Sequence, residues 1–136
     1  MQPSKEKYYR LLFNVAALYD ILLGLVFTFF SEHAFAILGI SDKFPAFGGY
    51  VTLLGVFVLV IGIAYCLIAR GDLRRNADLI FVGALYKLAY SATAFYYLAM
   101  GSLPHIAFGV VFGVADALFF ILMAECWLCL KKETES

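Results

Sequence analysis

Charge is scarce in this chain. Of its 136 residues only 15% are Asp, Glu, Lys or Arg, against about 25% in an ordinary soluble domain. Ten cations balance ten acids, so the formal net charge is zero. No basic field exists to gather phosphates, which excludes a nucleic-acid binder. Proline is sparse, at three residues, and histidine occurs only as His33 and His105. Neither histidine falls at depth within a helical run, so haem held between paired helical histidines is excluded. No phosphate-binding glycine loop, dinucleotide fingerprint or nucleophile–base pair is present. The composition implies no cofactor, and it points away from an enzyme.

What the chain has in quantity is apolar surface. It is 64% hydrophobic with a mean hydropathy of +0.90. A soluble fold of this size has no interior large enough to hide that surface, so a water-soluble monomer and a disordered chain are excluded. The expected solvent is lipid.

A spanning helix needs about 20 mostly apolar residues, and four stretches qualify, at 11–30, 49–69, 77–100 and 105–130. Pro104 suits the start of the fourth. The runs are too long and too continuous for barrel strands. The expected fold is therefore all-α, a four-helix transmembrane bundle in a single domain. The second and third spans, joined by a very short loop, should form an antiparallel hairpin. The segment 31–47, with Phe35, Ile37, Leu38 and Ile40, reads as an outer loop lying at the bilayer surface. Lys5, Lys7 and Arg10 ahead of an apolar run resemble the start of a signal peptide. The run is longer than such a peptide's apolar region and contains Asp20, so it reads as an uncleaved first helix.

Cations set the expected orientation. Lys5, Lys7, Arg10, Arg70, Arg74, Arg75, Lys131 and Lys132 fall on one side of the four spans, and only Lys43 on the other. Both termini should be cytoplasmic. The expected location is a cell membrane, crossed several times, in the bacterial inner membrane.

Three ionisable residues remain at mid-span: Asp20, Lys87 and Asp116. Each central charge costs roughly 2.5–3.5 kcal/mol on insertion scales. Similar depth and opposite sign predict that the three face inward and pair. Tyr90 and Ser91, three and four residues beyond Lys87, should share its face, and Tyr86 adjoins it. Asn14 and Tyr65 should be buried in the cytoplasmic half. Asp20, Lys87, Asp116, Tyr90, Ser91 and Tyr86 are thus the candidate ligand- or proton-binding residues. A structural ion pair that selects which helices meet fits the same pattern.

Gly48, Thr52, Gly55, Gly62 and Cys66 form a stripe of small residues on the second span, and Gly109 and Gly113 form a GxxxG pair on the fourth. Both patterns let helix backbones approach closely, within the chain or across a homodimer. Cys126 and Cys129 form a C-x-x-C at the cytoplasmic end of the fourth span, a candidate thiol redox pair or lipidation site. Glu125 should reach the same interface. His33 and His105, with Glu32 or Asp42, could meet a metal only at the outer rim.

Several of these residues also carry a resemblance. Tyr19-Asp20 comes first, then Gly62-Ile-Ala-Tyr65, the basic turn Ala69-Arg-Gly-Asp-Leu-Arg-Arg75, and Val82-Gly-Ala-Leu-Tyr-Lys87. Gly101-Ser-Leu-Pro104 and Asp116 complete the series. In this order the chain resembles a group of small uncharacterised four-helix bacterial membrane proteins and is loosely similar to the DoxX-like superfamily, over about residues 11–130. The resemblance implies four spans and a buried Lys–acid element, and no particular activity. The polar residue of the first helix is usually an amide in that group, and Asp20 departs from it.

The functional expectation is an integral membrane protein whose midplane Lys/Asp cluster binds or transports a small polar or ionic ligand or a proton. The alternatives are a structural or accessory subunit of a larger membrane complex, and a thiol redox protein using Cys126 and Cys129. Expected partners are the lipid bilayer and either a second copy of the chain or that larger complex.

Overall fold

A computed structural model describes residues 1–136. It is all-helical, with 82% of residues in helix and no strand. Helix α1 spans Pro3–Phe29, α2 Ser31–Ile37, α3 Gly49–Arg70 and α4 Ala77–Ala99. The last helix, α5, runs Ile106–Glu135. Within α5, residues Gly109–Ala115 are wound as a π-helix. Helices α1, α3, α4 and α5 are each long and apolar enough to cross a membrane. The shortest, α3, has 22 residues and so measures about 33 Å, against roughly 30 Å of hydrocarbon.

Local chemistry sets the helix ends. Pro3 occupies the first turn of α1, where its missing N–H costs nothing. Gly39 and Gly101 take positive φ, +72° and +68°, conformations open to glycine, and turn the chain after α2 and α4. Asp72 Oδ1 accepts the backbone N–H of Arg74 at 2.8 Å and of Arg75 at 3.2 Å, which shapes the turn into α4. His105 Nδ1 accepts the Ala107 N–H at 3.0 Å and caps α5. That histidine is thus committed to the backbone, and no group of three or more His, Cys, Asp or Glu side chains is placed to hold a metal.

The four long helices alternate in direction and form a ring in the order α1, α3, α4, α5. The tight contacts are α1 with α3 and α4 with α5. Helices α3 and α4, expected to form the hairpin, touch far less. The reason lies in the glycines. A methyl group added at Gly55 would lie 2.5 Å from the Thr28 nitrogen, one at Gly62 2.9 Å from the Ile21 nitrogen, and one at Gly24 2.7 Å from the Leu59 nitrogen. Gly55 and Gly62 of α3 therefore face α1, and backbone meets backbone there, while Thr52 of the expected stripe is exposed and Gly48 meets the Phe44 ring. The short loop joins α3 to α4 without making them the closest pair.

The large buried side chains fill the seam between the two pairs. Tyr9, Phe13, Tyr65, Ile68, Ile80, Met123 and Leu130 belong to one cluster, at the end where α1 begins and α5 finishes. We call this the basal end. Here the Met1 amino group pairs with Glu133 at 2.8 Å, Arg74 pairs with Glu133 at 3.0 Å, and Arg10 donates to the Ala69 and Gly71 carbonyls at 2.8 and 2.7 Å. The last bonds satisfy carbonyls left free where α3 stops. A smaller cluster, including Phe27, Phe35, Val51 and Phe112, fills the opposite end beneath α2.

One placement departs from the sequence reading. Asn14 is exposed on the outer face of α1 rather than buried. It shares its stripe with Leu11 and Leu18, both exposed, while Phe13, Ala16, Ala17 and Asp20 turn inward.

Candidate functional site at the centre of the bundle

Three helices deliver one charge each to the middle of the seam. Lys87 Nζ on α4 donates to Asp20 Oδ1 on α1 at 2.8 Å and to Asp116 Oδ1 on α5 at 3.0 Å. Lys87 is 0% exposed, Asp20 1% and Asp116 3%. The bond to Asp116 links neighbours in the ring. The bond to Asp20 crosses the ring diagonally, from α4 to α1. Both helix pairs are thereby tied through a single ammonium.

Four rings complete the surroundings of Lys87 Nζ. Their centroids lie at 4.9 Å for Phe119, 5.2 Å for Tyr19, 5.6 Å for Tyr65 and 5.8 Å for Tyr86. A cation against aromatic faces is attracted by their quadrupoles, and more strongly where water is excluded. Two carboxylates and four rings replace the ammonium's hydration. The enclosure is uneven on the acid side. Asp20 Oδ2 has no hydrogen-bond partner, and two carboxylates face one ammonium, a formal charge of −1 if all three ionise. None of the principal cavities of the protein is lined by Asp20, Lys87 or Asp116.

The surrounding polar groups are spent on the backbone. Tyr19 donates its hydroxyl to the Val111 carbonyl at 2.9 Å, and Ser91 donates to the Gly113 carbonyl at 3.0 Å. Both acceptors lie in the π segment, which ends at Asp116. Irregular backbone at membrane depth is tolerated where protein covers it and its polar groups find partners, and these two hydroxyls meet that need. Tyr65 donates to the Gly83 carbonyl at 2.8 Å.

Of the six expected site residues, Asp20, Lys87 and Asp116 meet, and Tyr86 contributes a ring to the enclosure. Ser91 turns to the π segment instead. Tyr90 lies tilted against Tyr86 at 4.7 Å and stacks on Phe112 at 5.6 Å, one layer toward α2. The cause is side-chain direction. Helical side chains lean toward the helix N-terminus, so the long Lys87 chain carries its ammonium back toward Gly83 and away from residues 90 and 91. Phe119 was not expected. Its spacing of three from Asp116 places it on the same face of α5.

The cysteines are separate from this centre and all three are free thiols. Cys126 is buried, while half-buried Cys129 accepts from Lys5 Nζ at 3.2 Å and from the Tyr9 hydroxyl at 3.5 Å. The single Tyr9 O–H is shared between Cys129 and the exposed Glu125, whose Oε1 lies closer, at 3.0 Å. The GxxxG glycines of α5 are covered within the chain, Gly113 by the Phe95 ring and Gly109 by Leu103.

No protein family, curated protein or solved structure was found to match this chain.

Proposed function

We propose that this chain is a multi-pass membrane protein that works as a structural or accessory subunit, its Asp20–Lys87–Asp116 cluster being the lock that fixes how the four helices meet. The observation that carries this reading is the enclosure of Lys87: no exposure, two carboxylate bonds, four surrounding rings and no place for the three charges in the lining of any principal cavity. A transported solute needs a path to its site, and a sealed site offers none. In this reading both termini lie on the cytoplasmic side, where eight of the ten cations gather, in a bacterial inner membrane.

Purification in mild detergent tests it. A larger membrane partner recovered in fixed ratio is the expected result. Recovery of monomer or homodimer alone counts against it. The triple variant Asp20→Asn, Lys87→Met, Asp116→Asn should still insert and still assemble, because it removes the charges together.

One observation favours a second reading, in which the cluster binds a proton or a small cation. Two buried carboxylates face one ammonium, and Asp20 Oδ2 is unpartnered. Proton flux into vesicles containing the protein, abolished in the triple variant while folding persists, would establish that reading in place of the first. Thiol redox chemistry gains no comparable support, since Cys126 is fully buried and Cys66 lies on a different helix.

A further inference from the structure

Beneath α2 lies a cavity of about 150 Å³ lined only by apolar side chains, among them Leu23 and Phe27 of α1, Phe35 and Leu38 of α2, and Phe108 and Phe112 of α5. Its rim residues Val26, Ala34 and Ala107 are partly exposed, so it is reachable from the side of the bundle. On the far side of Phe35 a second cleft presents Glu32, His33 and Ser41. All three are exposed. Neither Glu32 nor His33 belongs to any ion pair of the chain.

We propose that these adjoining cavities form a binding site for one phospholipid with an ammonium-bearing headgroup. One acyl chain enters the apolar cavity, and the headgroup lies in the cleft with its ammonium on Glu32 and its phosphate on His33 and Ser41. A cavity with an entirely apolar lining offers water no hydrogen-bond partner and accepts apolar guests. In a bilayer the abundant apolar guest is an acyl chain. The layering also matches. From Leu23 outward, past Phe35 to Glu32, the lining changes from apolar to polar, as a lipid does from chain to headgroup. Charge selects among headgroups. The α2 end carries Glu32 and Asp42 against Lys43 alone, which disfavours an anionic headgroup and leaves a carboxylate for an ammonium.

Photo-cross-linking of the full chain in vesicles tests the site. The vesicles are phosphatidylglycerol containing a little phosphatidylethanolamine with a diazirine on one acyl chain, and adducts are mapped by peptide mass spectrometry. Adducts should concentrate on residues 23–27, 34–38 and 107–112. Ala107→Phe and Ala34→Leu fill the cavity from opposite walls. Each should lower those adducts roughly tenfold, the effect of excluding about two methylenes. Glu32→Gln should reduce the preference over a diazirine phosphatidylglycerol probe by roughly threefold. Three results would each overturn the proposal. They are an even spread of adducts over lipid-facing residues such as Leu18, Val60 and Ile121, unchanged labelling in both filled variants at wild-type helical content, and equal labelling by the two probes.

Discussion

Where α1 crosses α3, backbone lies on backbone with Gly24, Gly55 and Gly62 at the contact; where α4 crosses α5, rings and hydroxyls stand between the helices. Phe95 covers Gly113, Phe81 meets Trp127 at 4.8 Å, and Ser91 bonds the π segment. The first pair is regular in both helices. The second contains the one π segment of the fold. Close approach through small residues leaves no room for a side chain to reach a backbone carbonyl, and it demands none. The wider crossing admits polar side chains, and these in turn sustain an irregular backbone. The two pairs meet through packed side chains and a few hydrogen bonds, Tyr19 to Val111 and Tyr65 to Gly83 among them, with no charge pair at mid-depth apart from one site. The Lys87 cluster is that site.

Removing that link should have the largest effect. Lys87→Met leaves two carboxylates buried without a cation and should cost about 3–5 kcal/mol, read by denaturation in mixed micelles. The neutral triple variant should recover most of this loss. A Lys87→Met protein as stable as wild type would mean that the pairs associate without the cluster. Next in size is Gly62→Val, which forces α1 from α3 and should cost about 2–3 kcal/mol. Tyr19→Phe and Ser91→Ala each strip a hydroxyl from a carbonyl of the π segment and should cost about 1 kcal/mol apiece. Because both act on one segment, their double variant should depart from additivity, and strict additivity would argue against a shared element.

Gly113→Ala sharpens the contrast with Gly62. Its methyl meets the movable Phe95 ring at 3.3 Å rather than fixed backbone, so stability should stay within about 0.5 kcal/mol of wild type. A loss as large as that of Gly62→Val would erase the distinction between the pairs. The smallest effect is one of pH. The Arg75 and Arg74 backbone N–H groups hold the exposed Asp72 carboxyl below the usual carboxylate range. A depressed folded-state pKa adds stability above the unfolded value, and that stability fades as pH falls through the folded one. Asp72→Asn should therefore lower stability slightly near neutrality and flatten the acid limb below about pH 4, so that the variant and wild-type profiles converge in acid.

The spans were legible because hydrocarbon thickness demands a minimum apolar run, and four runs meet it. The central triad was legible because three rare charges share a depth and lipid leaves them few alternatives to one another. The short loop made α3 and α4 legible as antiparallel neighbours, whereas loop length says nothing about the closest approach, which follows Gly55 and Gly62 to α1. Asn14 was judged by its polarity, whereas its neighbours decide which face of α1 turns inward. One amide does not outweigh the burial of Phe13, Ala16 and Ala17. Ser91 and Tyr90 were placed by spacing along the helix, which omits the backward lean of a long side chain. The π segment carries the least signal, since Gly109 and Gly113 read equally well as a packing motif.

That segment also governs phase. Along an ordinary α-helix each residue advances the face by about 100°, and a wider turn alters the advance. Asp116 lies at the end of seven residues wound this way, so its bearing toward Lys87 depends on the count of residues between the His105 cap and itself. Deleting one residue there and letting the segment relax to regular winding would rotate Phe119, Met123 and Cys126 together with it. The number of residues in this stretch is thus as much a determinant of the charge cluster as the identity of the residues that form it.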